Sequence, residues 1–90
     1  MSDPDEVARF RELIGEVDRT LLQAVNRRLE LVRELHEHKR AEGIPLRDPT
    51  REEQLVVELQ AANAGPLSSA GVAELFRHVL DLTRKEIHGG

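Results

Sequence analysis

The chain has 90 residues, a net charge of −4, no cysteine and only two aromatic side chains, Phe10 and Phe76. That length bounds it to a single domain over residues 1–90. The composition excludes a disulfide framework and Cys-ligated zinc. It also excludes base-stacking nucleic-acid modules, which need aromatic platforms, and its acidic sign is wrong for tracking a phosphate backbone. No apolar run approaches the roughly 20 residues that span a bilayer. The opening stretch MSDPDEVARF lacks the apolar core of a secretory signal, so the expected location is the cytoplasm. A content of 33% charged residues, with many Leu, Glu, Arg and Ala, leans to an all-α fold.

Proline and glycine punctuation divides the chain into three helical segments. The first runs from about Asp5 to Glu42 and is free of proline, and Gly15 weakens it by about 1 kcal/mol relative to alanine. Its apolar positions alternate at three and four: Phe10, Ile14, Val17, Leu21, Ala24, Leu31 and Leu35. Gly43 suits the position just past the helix end, and Pro45 prevents continuation. The second segment starts at Asp48-Pro49-Thr50, with Asp48 as N-cap and Pro49 at the first helical position. Thr50 with Glu53 is a competing capping box. Leu55, Val56, Leu59 and Ala62 form its apolar face, and Asn63, Gly65 and Pro66 end it. The third segment is capped by Ser68 or Ser69. It carries Val72, Leu75, Phe76, Val79, Leu80 and Thr83 on one stripe, extended by Ile87, before Gly89-Gly90 frays.

A first helix of about 37 residues is about 55 Å long at 1.5 Å per residue, whereas a compact chain of this size is roughly 30 Å across. Two short helices cannot cover so long a stripe. The expectation is three helices, one long and two shorter, in an intertwined homodimer whose long helices pack on each other. The alternative is a break at Gly15 or near His36-Glu37-His38.

Position 28 falls where the alternation calls for an apolar residue, and Arg28 stands there. Lys39 follows on the same face, within about 20° and about 16 Å further along. Two inward cations need something negative near them. Asp18, Asp48, Glu52 and Asp81 are internal candidates, and a bound small anion is the other. A snorkelling arginine at the end of the dimer seam, or a buried Arg–Glu pair, is the plainer reading. Arg11 lies about 25 Å from Arg28 and about 100° around the helix, so it joins the same small-molecule site only from a partner chain. The charge-dense helix start at 47–52 reads as capping and solvated pairs, with Arg47 facing solvent, although its free N–H groups also favour an anion. The histidines at 36, 38, 78 and 88 offer no convergent metal-ligand set. The serines at 2, 68 and 69 occupy terminal or cap positions, which gives Ser–His catalysis no support.

Taken together, FRELIGEVDRTLLQAVNRRLELVRELHEHK at 10–39, PLRDPTREEQL at 45–55 and, more weakly, LFRHVLDLT at 75–83 resemble the all-helical chorismate mutases (the AroQ class). The resemblance implies three helices in an intertwined homodimer, with no cofactor and no metal. It implies a small dicarboxylate substrate, chorismate, rearranged to prephenate in Phe/Tyr biosynthesis. In that reading Arg28 binds one carboxylate, Arg11 of the other chain binds the second, and Arg51 adds to a cationic wall. Lys39 donates to the ether oxygen. Asp48, through its backbone, and Glu52 lie near the C4 hydroxyl, and Thr83 contacts a carboxylate. One departure stands out: Ile87 occupies the place where the family has Gln or Glu as a second donor to the ether oxygen. Losing such a donor commonly costs about 3–4 kcal/mol. The same scaffold also admits a 4-amino-4-deoxychorismate mutase, an isochorismate pyruvate lyase, or a non-catalytic helical dimer that regulates a shikimate-pathway enzyme. Docking of such an enzyme partner is open as well.

Overall fold

The computed structural model describes residues 4–87, and Ser2, His88 and the Gly89-Gly90 end lie outside them. The order is α1 (Pro4–Glu42), α2 (Pro49–Ala62) and α3 (Ser69–Ile87). α1 is uninterrupted through Gly15 and through His36-Glu37-His38, as the long-helix expectation requires, and neither of the alternative breaks occurs. Asp5 and Glu6 in its first turn and Lys39 and Arg40 in its last complement the helix dipole. It ends in a Schellman closure: Ile44 N–H donates to the Lys39 carbonyl at 2.8 Å and Gly43 N–H to that of Arg40 at 3.3 Å. The closure requires a left-handed residue, which Gly43 supplies at φ +70°.

α2 begins as its sequence suggests. The Asp48 carboxylate accepts from the Arg51 N–H at 3.1 Å, with Pro49 in the first turn, so the Thr50–Glu53 box is not the one used. Asn63 closes the helix, its N–H donating to the Leu59 carbonyl at 3.0 Å, and its side chain ties down Gly65 and Leu67 in the turn. Ser68 caps α3, accepting from Gly71 N–H at 3.0 Å. Leu67 lies so close to Gly71 that an added Cβ meets its Cδ1 at 2.6 Å.

α3 is the hub, packing against both α1 and α2. Val72 and Ala73 are buried there, together with Thr83 and His36 of α1. Beyond these the described residues form little interior. The chain measures 62 × 24 × 20 Å with a radius of gyration of 17.3 Å, against about 12 Å for a compact chain of this length. The α1 stripe stands uncovered, with Phe10 59%, Ile14 59%, Val17 65% and Leu21 55% exposed. Burying side chains of this kind is worth about 1.5–3 kcal/mol each. No helix among the described residues is long and apolar enough to cross a membrane.

The helix ends and faces can be tested directly. Gly43→Ala places a Cβ in the left-handed region and costs about 1 kcal/mol; urea unfolding at fixed protein concentration will show a lower midpoint with an unchanged slope. On α3, Asp81 is hydrogen-bonded to Lys85, with Nζ 3.0 Å from Oδ2. That bond and the Lys85 and Arg84 charges hold its carboxyl below the ordinary carboxylate value. A depressed folded-state pKa contributes stability above the unfolded-state value, lost as pH falls through the folded one. The melting difference between wild type and Asp81→Asn will therefore shrink as pH drops below about 4; a difference constant with pH contradicts this.

Candidate active site

Where α1, the 43–48 connection, α2 and α3 meet, they line a half-open cavity of about 510 Å³. α1 contributes Arg28, Val32, Leu35, His36 and Lys39, and the connection contributes Leu46, Arg47 and Asp48. Arg51 and Glu52 come from α2, and Leu80, Thr83 and Arg84 from α3. Five cations thus face two carboxylates in a chain whose net charge is −4. The local sign is opposite to the global one, the arrangement expected of an anion site. Val32, Leu35, Leu46 and Leu80 give it apolar walls, which strengthen any charge interaction inside.

Arg28 and Lys39 are both half-buried, one near each end of the α1 wall. Arg28 Nη1 donates to Thr83 Oγ1 at 2.7 Å, and Thr83 in turn donates to the Val79 carbonyl at 2.7 Å. Lys39 Nζ donates to the Leu46 carbonyl at 3.3 Å. Both partners are neutral oxygens. Asp18, Asp48, Glu52 and Asp81, the internal counter-charges that sequence suggests, do not pair with either cation among the described residues. The Asp48 carboxylate caps α2, and Glu52 and Asp81 have other partners. A guanidinium carries five N–H donors and an ammonium three, so most of the donor capacity of both side chains is left for a ligand.

The remaining sequence candidates divide. Thr83, Asp48, Arg51 and Glu52 join Arg28 and Lys39 in the cavity wall. Arg51 also pairs along α2 with Glu58, Nη1 to Oε1 at 3.2 Å, in an exposed contact that screening keeps weak. Arg47 is exposed, as expected, and it also edges the cavity. Arg11 stands exposed far up α1, outside its own chain's cavity. Ile87 is half-buried at the end of α3, one turn beyond Thr83, and does not line the cavity.

Two residues that sequence reasoning missed belong to the wall. His36, 8% exposed, sits three residues before Lys39 on a neighbouring helix position; that spacing was the available signal. Arg84 pairs with Glu52, Nη1 lying 3.2 Å from both carboxylate oxygens, a contact across 32 residues that no local spacing announces.

The Arg28–Thr83 contact is open to test. Thr83→Val removes the hydroxyl and leaves the half-buried guanidinium without that acceptor, costing about 1–2 kcal/mol. Chemical denaturation will show the loss in Thr83→Val and near-recovery in Thr83→Ser.

The family model described as chorismate mutase type II matches residues 10–87. No curated protein sequence matches the chain. The structure is similar to form I of the chorismate mutase of Thermus thermophilus, with a TM-score of 0.84 and 28% identity over 87% of this chain and 98% of that one. Form II of the same enzyme gives a TM-score of 0.86 and 26% identity over 92% and 94% of the two chains. With its three-helix architecture and match over most of its length, the chain belongs to the chorismate mutase type II family, isomerases that rearrange chorismate to prephenate on the route to phenylalanine and tyrosine.

Proposed function

We propose that the three-helix cavity is the mutase site and that it is completed in a homodimer by Arg11 of the second chain. The observation that carries this reading is the pair of half-buried cations, Arg28 and Lys39, whose partners among the described residues are neutral oxygens. The reaction is an intramolecular [3,3] rearrangement: the C–O ether bond breaks as a C–C bond forms within one molecule. The protein's task is to hold a flexible dicarboxylate in its compact, reactive form and to stabilise charge on the ether oxygen.

Arg28 takes one carboxylate, with Thr83 fixing the guanidinium from behind. Arg11 of the partner takes the second, and Arg51 adds to the positive wall. Lys39 donates to the ether oxygen; a compact ammonium suits one developing point of charge. Glu52 accepts from the C4 hydroxyl. Asp48 acts there through its backbone, since its carboxylate already caps α2. The pairing of Glu52 with Arg84 favours a hydroxyl over an ammonium at C4, and so chorismate over its 4-amino analogue. Ile87 supplies no donor, which leaves Lys39 to carry the ether oxygen.

The exposed apolar stripe of α1 supports the dimer, and its N-terminal half carries Arg11 on the segment available to a neighbouring chain. We place the enzyme in the cytoplasm, a compartment that a dianion such as chorismate does not leave unaided.

Arg28→Ala and Lys39→Ala will each lower kcat/KM for prephenate formation by about 10²–10³ or more, with helicity retained by circular dichroism. The trans role of Arg11 has a sharper test. Arg11→Ala and Arg28→Ala homodimers are each inactive, but a randomly reassociated equal mixture restores about a quarter of the sites, because each heterodimer holds one intact site. A mixture no more active than its components contradicts the shared site.

A further inference from the structure

We infer that Arg84 is a positioning residue of this site: it holds the Glu52 carboxylate in the cavity wall and cancels its charge before the substrate dianion arrives. The inference rests on the cavity being the mutase site. Arg84 Nη1 lies 3.2 Å from both Glu52 oxygens, joining α3 to α2, and the two side chains are 36% and 27% exposed. Screening by water is therefore partial. Asp81 of the same helix lies 3.9 Å from Arg84 Nη2, beyond hydrogen-bond distance, and its bond is to Lys85, which leaves Glu52 as the hydrogen-bonded partner of the guanidinium.

Of the two carboxylates in the wall, Asp48 is committed to the Arg51 N–H as a helix cap, so Glu52 is the one whose charge must be managed. The Glu52–Arg84 pair also borders a second cavity of about 490 Å³ between α2 and α3, edged by Gln60 and Arg77. Without Arg84, Glu52 gains room to turn either way, and as an uncompensated anion it opposes a doubly negative ligand. Substrate and transition state carry the same two carboxylates. The penalty therefore falls mainly on binding and less on the chemical step.

The test is a double-mutant cycle on the full-length enzyme, reading KM and kcat for prephenate formation separately. Arg84→Ala is expected to raise KM about tenfold with kcat within about threefold of wild type, and Arg84→Lys to recover most of the loss. In a Glu52→Gln background, removing Arg84 is expected to change KM by less than about twofold. Arg84→Met keeps the aliphatic stem and is read in the same way should the alanine variant lose helicity. Wild-type KM in the alanine and methionine variants overturns the inference. So does a tenfold rise that persists with Glu52→Gln, which makes Arg84 a direct substrate ligand. Failure of the site assignment itself reads differently: Arg28→Ala and Lys39→Ala then keep wild-type turnover.

Discussion

Two positive charges held partly out of water, with no negative partner among the described residues, set the terms for the rest of this structure. Desolvating a charge is expensive unless something compensates, and here the compensation is partial: a threonine hydroxyl for Arg28 and a backbone carbonyl for Lys39. Each helix contributes to that arrangement. α1 carries both cations on one face, separated by about three turns. Its Schellman closure at Gly43 turns the chain so that the Leu46 carbonyl comes back under Lys39. α3 brings Thr83 against Arg28, and α2 brings the cap of Asp48 and the carboxylate of Glu52 to the rim. A site built this way is incomplete until an anion enters it. A reaction limited by conformation and charge separation needs a cavity of this kind.

The same long helix creates a second incompleteness. α1 is too long and too apolar for two short helices to cover, and its stripe from Phe10 to Leu21 faces outward. Under the proposed dimer both deficits have one remedy. In that proposed assembly a second chain would cover the stripe and deliver Arg11 into the cavity, which would couple association and catalysis through one helix.

Much of this was legible in the sequence. Helix limits followed from local chemistry: Asp48-Pro49 starts α2 and Gly43 stops α1, because caps and left-handed turns depend on residues within a few positions. Arg28 and Lys39 stood out as a break in a hydrophobic period, and a period is also local information. What sequence could not supply was the register between helices. Four carboxylates are plausible counter-charges by residue type, and the structure shows neutral oxygens instead, since a carbonyl in a turn has no signature in residue type. Glu52–Arg84 links α2 to α3 across 32 residues, and only the packing of those helices reveals it. Among the histidines, the three-residue spacing from Lys39 was the one signal that pointed to His36, and its burial in the wall is visible only in the packed structure. Ile87 shows the opposite limit: the family resemblance marks it as the place of a donor that isoleucine does not supply, and in the structure it is not among the residues that line the cavity.

The central claim is that Arg28 and Lys39 are held ready for one small dianion. The most direct measurement is ¹⁵N NMR of their side-chain nitrogens during titration with a rigid bicyclic dicarboxylate that mimics the compact transition state. Both signals are predicted to shift along one saturation curve, at one molecule per chain. Shifts confined to the exposed Arg47 and Arg51, with Arg28 and Lys39 unmoved, contradict it.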